Sequence, residues 1–193
     1  MIKASETRTT MKRTIRTALV LTAVIVLTQG AGAAYAASAA GIDADVDAAL
    51  MRLYEEQPVA KMLAEKAVAI LVFPNMVKAG FLVGAQYGEG ALLKKGRTVG
   101  YHNSVAASYG LQAGAQTFGY VLFLMTPSAV HYLNRSGGWE IGAGPSIVVA
   151  DEGVARALTS TTLKSDVYAF IFDQKGLMAG IGLQGSKITK IRK

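Results

Sequence analysis

After Lys66 the spacing of apolar residues changes from one helical turn to every second position, and it stays there for most of the chain. Before that point the pattern is helical. Val46, Leu50, Leu53 and Tyr54 fall on one face, with Asp43, Asp45 and Asp47 at the start, where a helix dipole favours carboxylates. Ala37 to Ile42 reads as a small-residue linker. Pro58 restarts the helix at a position where its missing N–H costs nothing, and Val59, Met62, Leu63 and Lys66 continue along one face. Residues 44–66 therefore predict two short amphipathic helices or one kinked helix.

Beyond Lys66 the chain reads as strands. "AVAILVFP" predicts a buried strand ended by Pro74, "GFLVGAQYG" a second, and "GALLKKGRTVGYH" a hairpin turning at Lys95-Gly96. "SVAASYGLQAGAQTFGYVLFLM" gives two more strands with a bulge near Gly114 or Gly119. At Thr126-Pro127 the pattern switches: a Thr cap, Pro in the first turn, apolar Ala129, Val130 and Leu133, then Gly137-Gly138 as a stop, which predicts one short helix. "WEIGAGPSIVVA" returns to strand, and Asp151 to Leu158 is read as a helical turn. In "SDVYAFIFDQKGLMAGIGLQGSKI", Tyr168, Phe170 and Phe172 share one face while Val167, Ala169 and Ile171 share the other. Apolar residues on both faces mark a strand covered on both sides. Asp173 to Gly176 reads as the turn of a hairpin whose return strand carries Leu177, Ala179, Ile181 and Leu183. The expected fold is α+β: an antiparallel β-rich sandwich or barrel with N-terminal amphipathic helices and one short inserted helix.

The first 36 residues stand apart. Lys12, Arg13 and Arg16 precede an apolar run from Ala18 to Thr28, followed by small residues and Ala34-Tyr35-Ala36. These are the three parts of a secretory signal peptide. The run falls short of the roughly 20 apolar residues that span a bilayer; an uncleaved anchor, extended by the small residues from Gly30 to Ala40, is the alternative. Met11 is an alternative start. The expected organisation is a signal peptide at 1–36 and one domain at 37–193, exported to the periplasm or envelope and not integral to the membrane. Residues 1–36 hold five of the 20 Lys and Arg and one of the 13 acids, so fifteen bases against twelve acids remain, and +7 becomes +3. That removes most of the support for a nucleic-acid partner. With no cysteine in the chain, disulfides and a Cys-attached lipid anchor are excluded.

Nothing in the sequence nominates an enzyme. Gly88-x-Gly90, Gly142-x-Gly144 and Gly180-x-Gly182 lack the strand–turn–helix setting of a nucleotide-binding glycine loop. Gly80, Gly84 and Gly88 have the spacing of a helix-packing motif, yet Phe81, Val83, Ala85 and Tyr87 alternate as a strand does. His102 and His131 are the only histidines, too few for a local metal site. No serine sits in a nucleophile elbow, and the acid pairs Glu55-Glu56 and Asp151-Glu152 read as solvated. No cofactor or metal is expected. The bases do cluster: Lys94, Lys95 and Arg97 at one turn, Lys61 and Lys66 on the helix, Lys78 before the second strand, and Lys187, Lys190, Arg192 and Lys193 in a tail. Two readings stay open, namely lysines that keep sheet edges soluble and a surface for anionic headgroups, assisted by the amphipathic helix.

"AVAILVFPNMVKAGFLVGAQYGEGALL", the lone Trp in "GGWEIGAGPS" and "DVYAFIFDQKGLMAGIGLQGSKI" together resemble the SYLF domain family, over roughly Ala60 to Ile191. The Lys78-Ala79-Gly80-Phe81 turn and the pattern Tyr168, Lys175, Gly176, Leu177, Gly180 are the most specific parts. The resemblance implies a lipid-binding module. Eukaryotic members bind phosphoinositides and associate with actin, and bacterial ones are mostly exported. An SH3 or FYVE partner domain does not accompany the match and an exported chain meets no actin, so only the lipid role is carried over. It falls on the helix around Lys61 and Lys66 and on neighbouring bases such as Lys78. The expected function is non-catalytic binding of anionic phospholipid; the alternative is a structural or protein-interaction module of the cell envelope.

Overall fold

A computed structural model of the chain describes residues 37–193 apart from 136, 151–157, 159–162 and 177–184, and describes the backbone alone at 81–82 and 108–113. Helix α1 (Ala39–Glu56) begins where the Ser38 hydroxyl accepts the Gly41 amide at 3.1 Å, a side-chain cap. The Ala37–Ile42 stretch is thus not a linker: the helix starts within it, and Ile42 is buried with Val46, Ala49, Leu50 and Leu53. Gln57 breaks the chain and Pro58 opens α2 (Pro58–Lys66), giving two helices rather than one.

Strands β1 (Ala69–Lys94) and β2 (Arg97–Leu124) form a single antiparallel hairpin. The several strands read from the sequence are two continuous ones, and Pro74 does not end β1. It lies at the irregularity between Phe73 and Met76, where the ladder needs no amide from it. Drawn straight at about 3.3 Å per residue, 26 residues would far exceed the radius of roughly 15 Å of a compact domain of this size.

The hairpin therefore doubles back, and glycines make that bend geometrically feasible. A Cβ on Gly80 would run into the Gly84 backbone, which marks the corner. A Cβ on Gly88 would meet the Met76 sulfur and lie 2.9 Å from the Asn75 carbonyl oxygen, and one on Gly90 would collide with the Val72 carbonyl. The second half of β1 thus crosses its own first half, a close backbone approach that only glycine permits. The repeated glycine spacing belongs to a strand corner.

Strand β2 is the centre of the sheet. β1 pairs with it along one edge, while the other edge is divided: β6 (Lys187–Ile191) takes Tyr101–Val105 and β5 (Val167–Gly176) takes Gln116–Leu124. β3 (Trp139–Glu140) continues outward from β6, and β4 (Ile147–Val149) runs parallel to β5. Helix α3 (Pro127–Leu133) follows β2 as its signals require: the Thr126 hydroxyl accepts the Ala129 amide at 3.3 Å, and Ala129, Val130 and Leu133 are buried. Its end is set by Asn134, whose side-chain amide donates to the Val130 carbonyl at 2.8 Å, ahead of the glycine pair.

Two cores lie on opposite faces of this sheet. The inner core joins Leu71, Phe73, Met76, Leu92, Tyr120, Leu122, Trp139, Ala169 and Ile188 to α3. The outer core joins Val72, Leu93, Val121, Phe123, Phe170 and Phe172 to α1 and α2. β5 contributes Val167 and Ala169 to one and Tyr168, Phe170 and Phe172 to the other, as its alternation predicts.

One local expectation is corrected. Asp173–Gly176 is not a hairpin turn; β5 bulges there, with Asp173 at φ 52°, and Gly176 still pairs with Gln116. The return strand at 177–183 and the helical turn at 151–158, apart from Leu158, lie outside the described residues. Among those described, no helix is long and apolar enough to cross a membrane.

Candidate functional site

The hairpin tip is built by a two-residue turn. Lys95 (φ 50°) and Gly96 (φ 73°) both take positive φ, the geometry whose twist suits a tight β-hairpin. Lys94 and Arg97 face each other as the last pair of the ladder. The turn thus gathers three exposed cations at one tip, and among the described residues none of the three is ion-paired. Behind the tip, the Asp43 carboxylate of α1 accepts the Thr98 and Tyr101 hydroxyls, each at 2.9 Å. Burial and that carboxylate raise the Tyr101 pKa.

The other predicted bases do not join this cluster. Lys61 and Lys66 are exposed on α2, which follows the opposite end of α1. The apolar face between them is already occupied: Leu63 is fully buried against the sheet, and Met62 packs on the outer core. The helix has spent its amphipathic face on folding, so the apolar insertion expected of it is not available. Lys78 corrects the sequence reading more sharply. It is only 5% exposed and lies on the inner side of the curl, so it is not part of a surface with Lys61 and Lys66. In the basic tail, Lys193 is held by Glu89 at 2.6 Å, which pins the C-terminus to β1 and lowers the Glu89 pKa against its own burial. Lys187, Lys190 and Arg192 remain exposed.

The inner side of the curl also carries polar groups that no single stretch of sequence nominates. His102, Ser104 and Ser186 are fully buried, and Gln86 and Gln116 nearly so. Gln86 donates to the Ser186 hydroxyl at 3.0 Å. Among the described residues, both His102 nitrogens, the Ser104 and Tyr120 hydroxyls and the Gln116 carbonyl oxygen find no hydrogen-bond partner. Burial, with Lys190 nearby, lowers the His102 pKa to about 4, so the ring is neutral near pH 7. Burial likewise raises Tyr120 far above its ordinary value, slightly offset by the neighbouring Ser104. This is a neutral hydrogen-bonding set. Among the described residues no carboxylate orients His102 and no bond joins it to Ser104, so these two do not make the contacts of an activated nucleophile there. Sequence position could not have found it, because the residues meet only when the hairpin crosses itself.

A further group was missed for the same reason. Lys175 and Lys187 are far apart in sequence, yet register sets them beside Thr117 and Val105 on the same side of β2. There they border exposed Val77, Val83, Tyr87 and Val105.

The family model described as Ysc84, Las17-binding protein actin regulator, matches residues 105–193. That stretch begins within β2 and holds Trp139 and the Tyr168-to-Gly180 pattern; the hairpin tip, α2 and the Lys78–Phe81 turn precede it. The resemblance read from Ala60 onward is therefore matched over a shorter span. Among curated proteins nothing matches.

Proposed function

We propose a function from one premise: residues 105–193 belong to the Ysc84 (SYLF) family. The protein binds anionic phospholipid headgroups without catalysis, and its principal contact is the hairpin tip at Lys94, Lys95 and Arg97. Lys61 and Lys66 make a secondary contact, and Lys78 none. With residues 1–36 read as an export signal, the target is a membrane surface of the cell envelope. The observation that carries this reading is the tip itself: three exposed cations gathered at one two-residue turn, with no ion pair among the described residues. Each Lys or Arg near an anionic surface contributes about 1 kcal/mol. Co-sedimentation with vesicles of graded phosphatidylglycerol content tests it. Replacing Lys94, Lys95 and Arg97 together with Gln should weaken binding roughly a hundredfold at that contribution per charge, and Lys61→Gln with Lys66→Gln about tenfold. Binding that ignores both headgroup charge and salt would rule out the electrostatic mechanism.

A second reading is a protein-interaction module of the envelope. The description of the family as a Las17-binding protein favours it, and so does the exposed apolar sheet surface. Failure to bind any vesicle would move it to first place.

A further inference from the structure

Glu89 stands on β1 opposite Asn103 of β2, and its side chain is only 13% exposed. Donors reach its carboxylate from separate parts of the chain. The Tyr87 hydroxyl donates to Oε1 at 2.8 Å, the Lys193 ammonium donates to Oε2 at 2.6 Å, and the backbone amide of Ala37 donates to the same carboxylate. The compact body of the protein runs from Ala37 to Lys193, so one side chain meets both the first residue of that body and its last. Ala37 is also the residue that follows Ala34-Tyr35-Ala36, the small-residue end of the export pattern. A sequence boundary, the start of the fold and a contact with a carboxylate therefore fall on one backbone nitrogen.

We infer that the Ala36–Ala37 peptide bond is the processing site of the exported chain, and that the ammonium freed at Ala37 is clamped by Glu89 beside Lys193. The inference goes beyond the lipid reading and shares with it only the premise that residues 1–36 direct export. The step is a hydrolysis by a signal peptidase. The Ala36–Ala37 C–N bond breaks, the oxygen of water goes to the Ala36 carbonyl carbon, and at neutral pH both protons of that water end on the Ala37 nitrogen. Ala36 leaves as a carboxylate and Ala37 stays as an ammonium. The cut spares α1 and its cap, because Ser38 is the capping residue and the helix begins at Ala39. It does create a charge in an unfavourable place. A cation just ahead of a helix opposes the positive end of the helix dipole, and the first turn of α1 holds no acid to offset it. Glu89 offsets it from β1. The nitrogen already lies on that carboxylate in the uncut chain, so the contact needs no rearrangement. It changes from a neutral donor to a charged one, a bond roughly twice as strong.

The test uses protein isolated from the envelope fraction of cells that produce the full chain. Its N-terminal sequence should begin Ala37-Ser38-Ala39. The pKa of the Ala37 amino group is then read from the pH dependence of its acylation, followed at the N-terminal peptide by mass spectrometry, in the folded protein and in concentrated urea. A free α-amino group titrates at about 7.7–8.0. In the folded protein it should lie about half a unit above its value in urea, the size expected of a partly exposed pair. Glu89→Gln should remove most of that difference, and Lys193→Met should keep or enlarge it, since a competing cation is gone. Should Glu89→Gln not fold, the difference in the unmodified protein and its persistence in Lys193→Met still decide. A chain that keeps residues 12–36, or one that starts at another residue, overturns the processing site and the clamp together. A chain that starts at Ala37 but titrates alike when folded and in urea overturns the clamp and leaves export standing. Vesicle binding by the hairpin tip is a separate readout, so failure here and failure of the lipid reading are told apart.

Discussion

The hairpin doubles back, so its base and its tip lie together at one end of the sheet and its corner at the other; the outer face is apolar at both, yet α1 and α2 cover the first and leave the corner bare. At the covered end Val72, Leu93, Val121 and Phe123 pack against Ile42, Val46, Leu53 and Leu63. At the bare end Val77, Val83, Tyr87 and Val105 stay in contact with water. Residue type alone does not separate the two. What differs is whether another segment arrives: α1 is held over the first by Asp43 and Asp45 near its start and by Arg52, which pairs with Asp173 at 2.8 Å, near its end. Equivalent chemistry therefore stabilises the fold in one place and is free for contact in the other.

The largest expected effect lies at the covered end. Leu63→Ala removes a fully buried side chain from between helix and sheet and should cost about 2–5 kcal/mol, measured by urea unfolding. A cost below 1 kcal/mol would mean that α2 is loosely held and that its apolar face is available to a membrane after all.

The inner face beneath both ends supplies an effect of intermediate size. His102 has a folded pKa of about 4 against an ordinary 6.5, so between those values the unfolded chain binds the extra proton. Stability should therefore fall as pH drops from 6.5 towards 4 and change no further from this group below that. The span is up to about 3 kcal/mol at 1.36 kcal/mol per unit. Asp166 acts in the same direction at lower pH. Its pKa is lowered by the amide and hydroxyl of Ser146, with Thr126 adding to them, and its stabilisation is lost as the carboxylate is protonated. Thermal melts across this range check the profile. His102→Phe exchanges two unpartnered nitrogens for an apolar ring and should flatten the upper part without lowering the melting temperature at pH 7. A variant with an unchanged slope would place the titration elsewhere.

The smallest effect completes the contrast. Val83→Thr, at the bare end, keeps a β-branched side chain at an exposed strand position and should change stability by no more than about 0.5 kcal/mol. A loss comparable to that of Leu63→Ala would show that the bare end is covered in solution and that the comparison fails.

Much of the architecture follows from short-range chemistry. The change of period after Lys66, the positive-φ turn at Lys95-Gly96, the Thr126-Pro127 start and the two faces of β5 each depend on a few neighbouring residues, and each is found where the pattern places it. Asp173–Gly176 misleads because its residues suit a bulge as well as a turn, and only pairing with Thr117 and Gly119 selects between them.

The sequence by itself determined where helix gives way to strand, where the long hairpin turns and which residues share a face, though not every element's bounds, because backbone preference and side-chain alternation are local. Tertiary structure alone decided which face meets what. It buried Lys78 inside the curl, committed Leu63 to the sheet, set Lys175 and Lys187 beside Thr117 and Val105, distant in sequence, and enclosed His102 with no hydrogen-bond partner among the described residues. Each of these depends on the hairpin folding across itself at Gly80–Gly90, a contact between backbones in which glycine contributes only the absence of a side chain. Burial depends on which distant segment lands on a residue, and local spacing does not encode that.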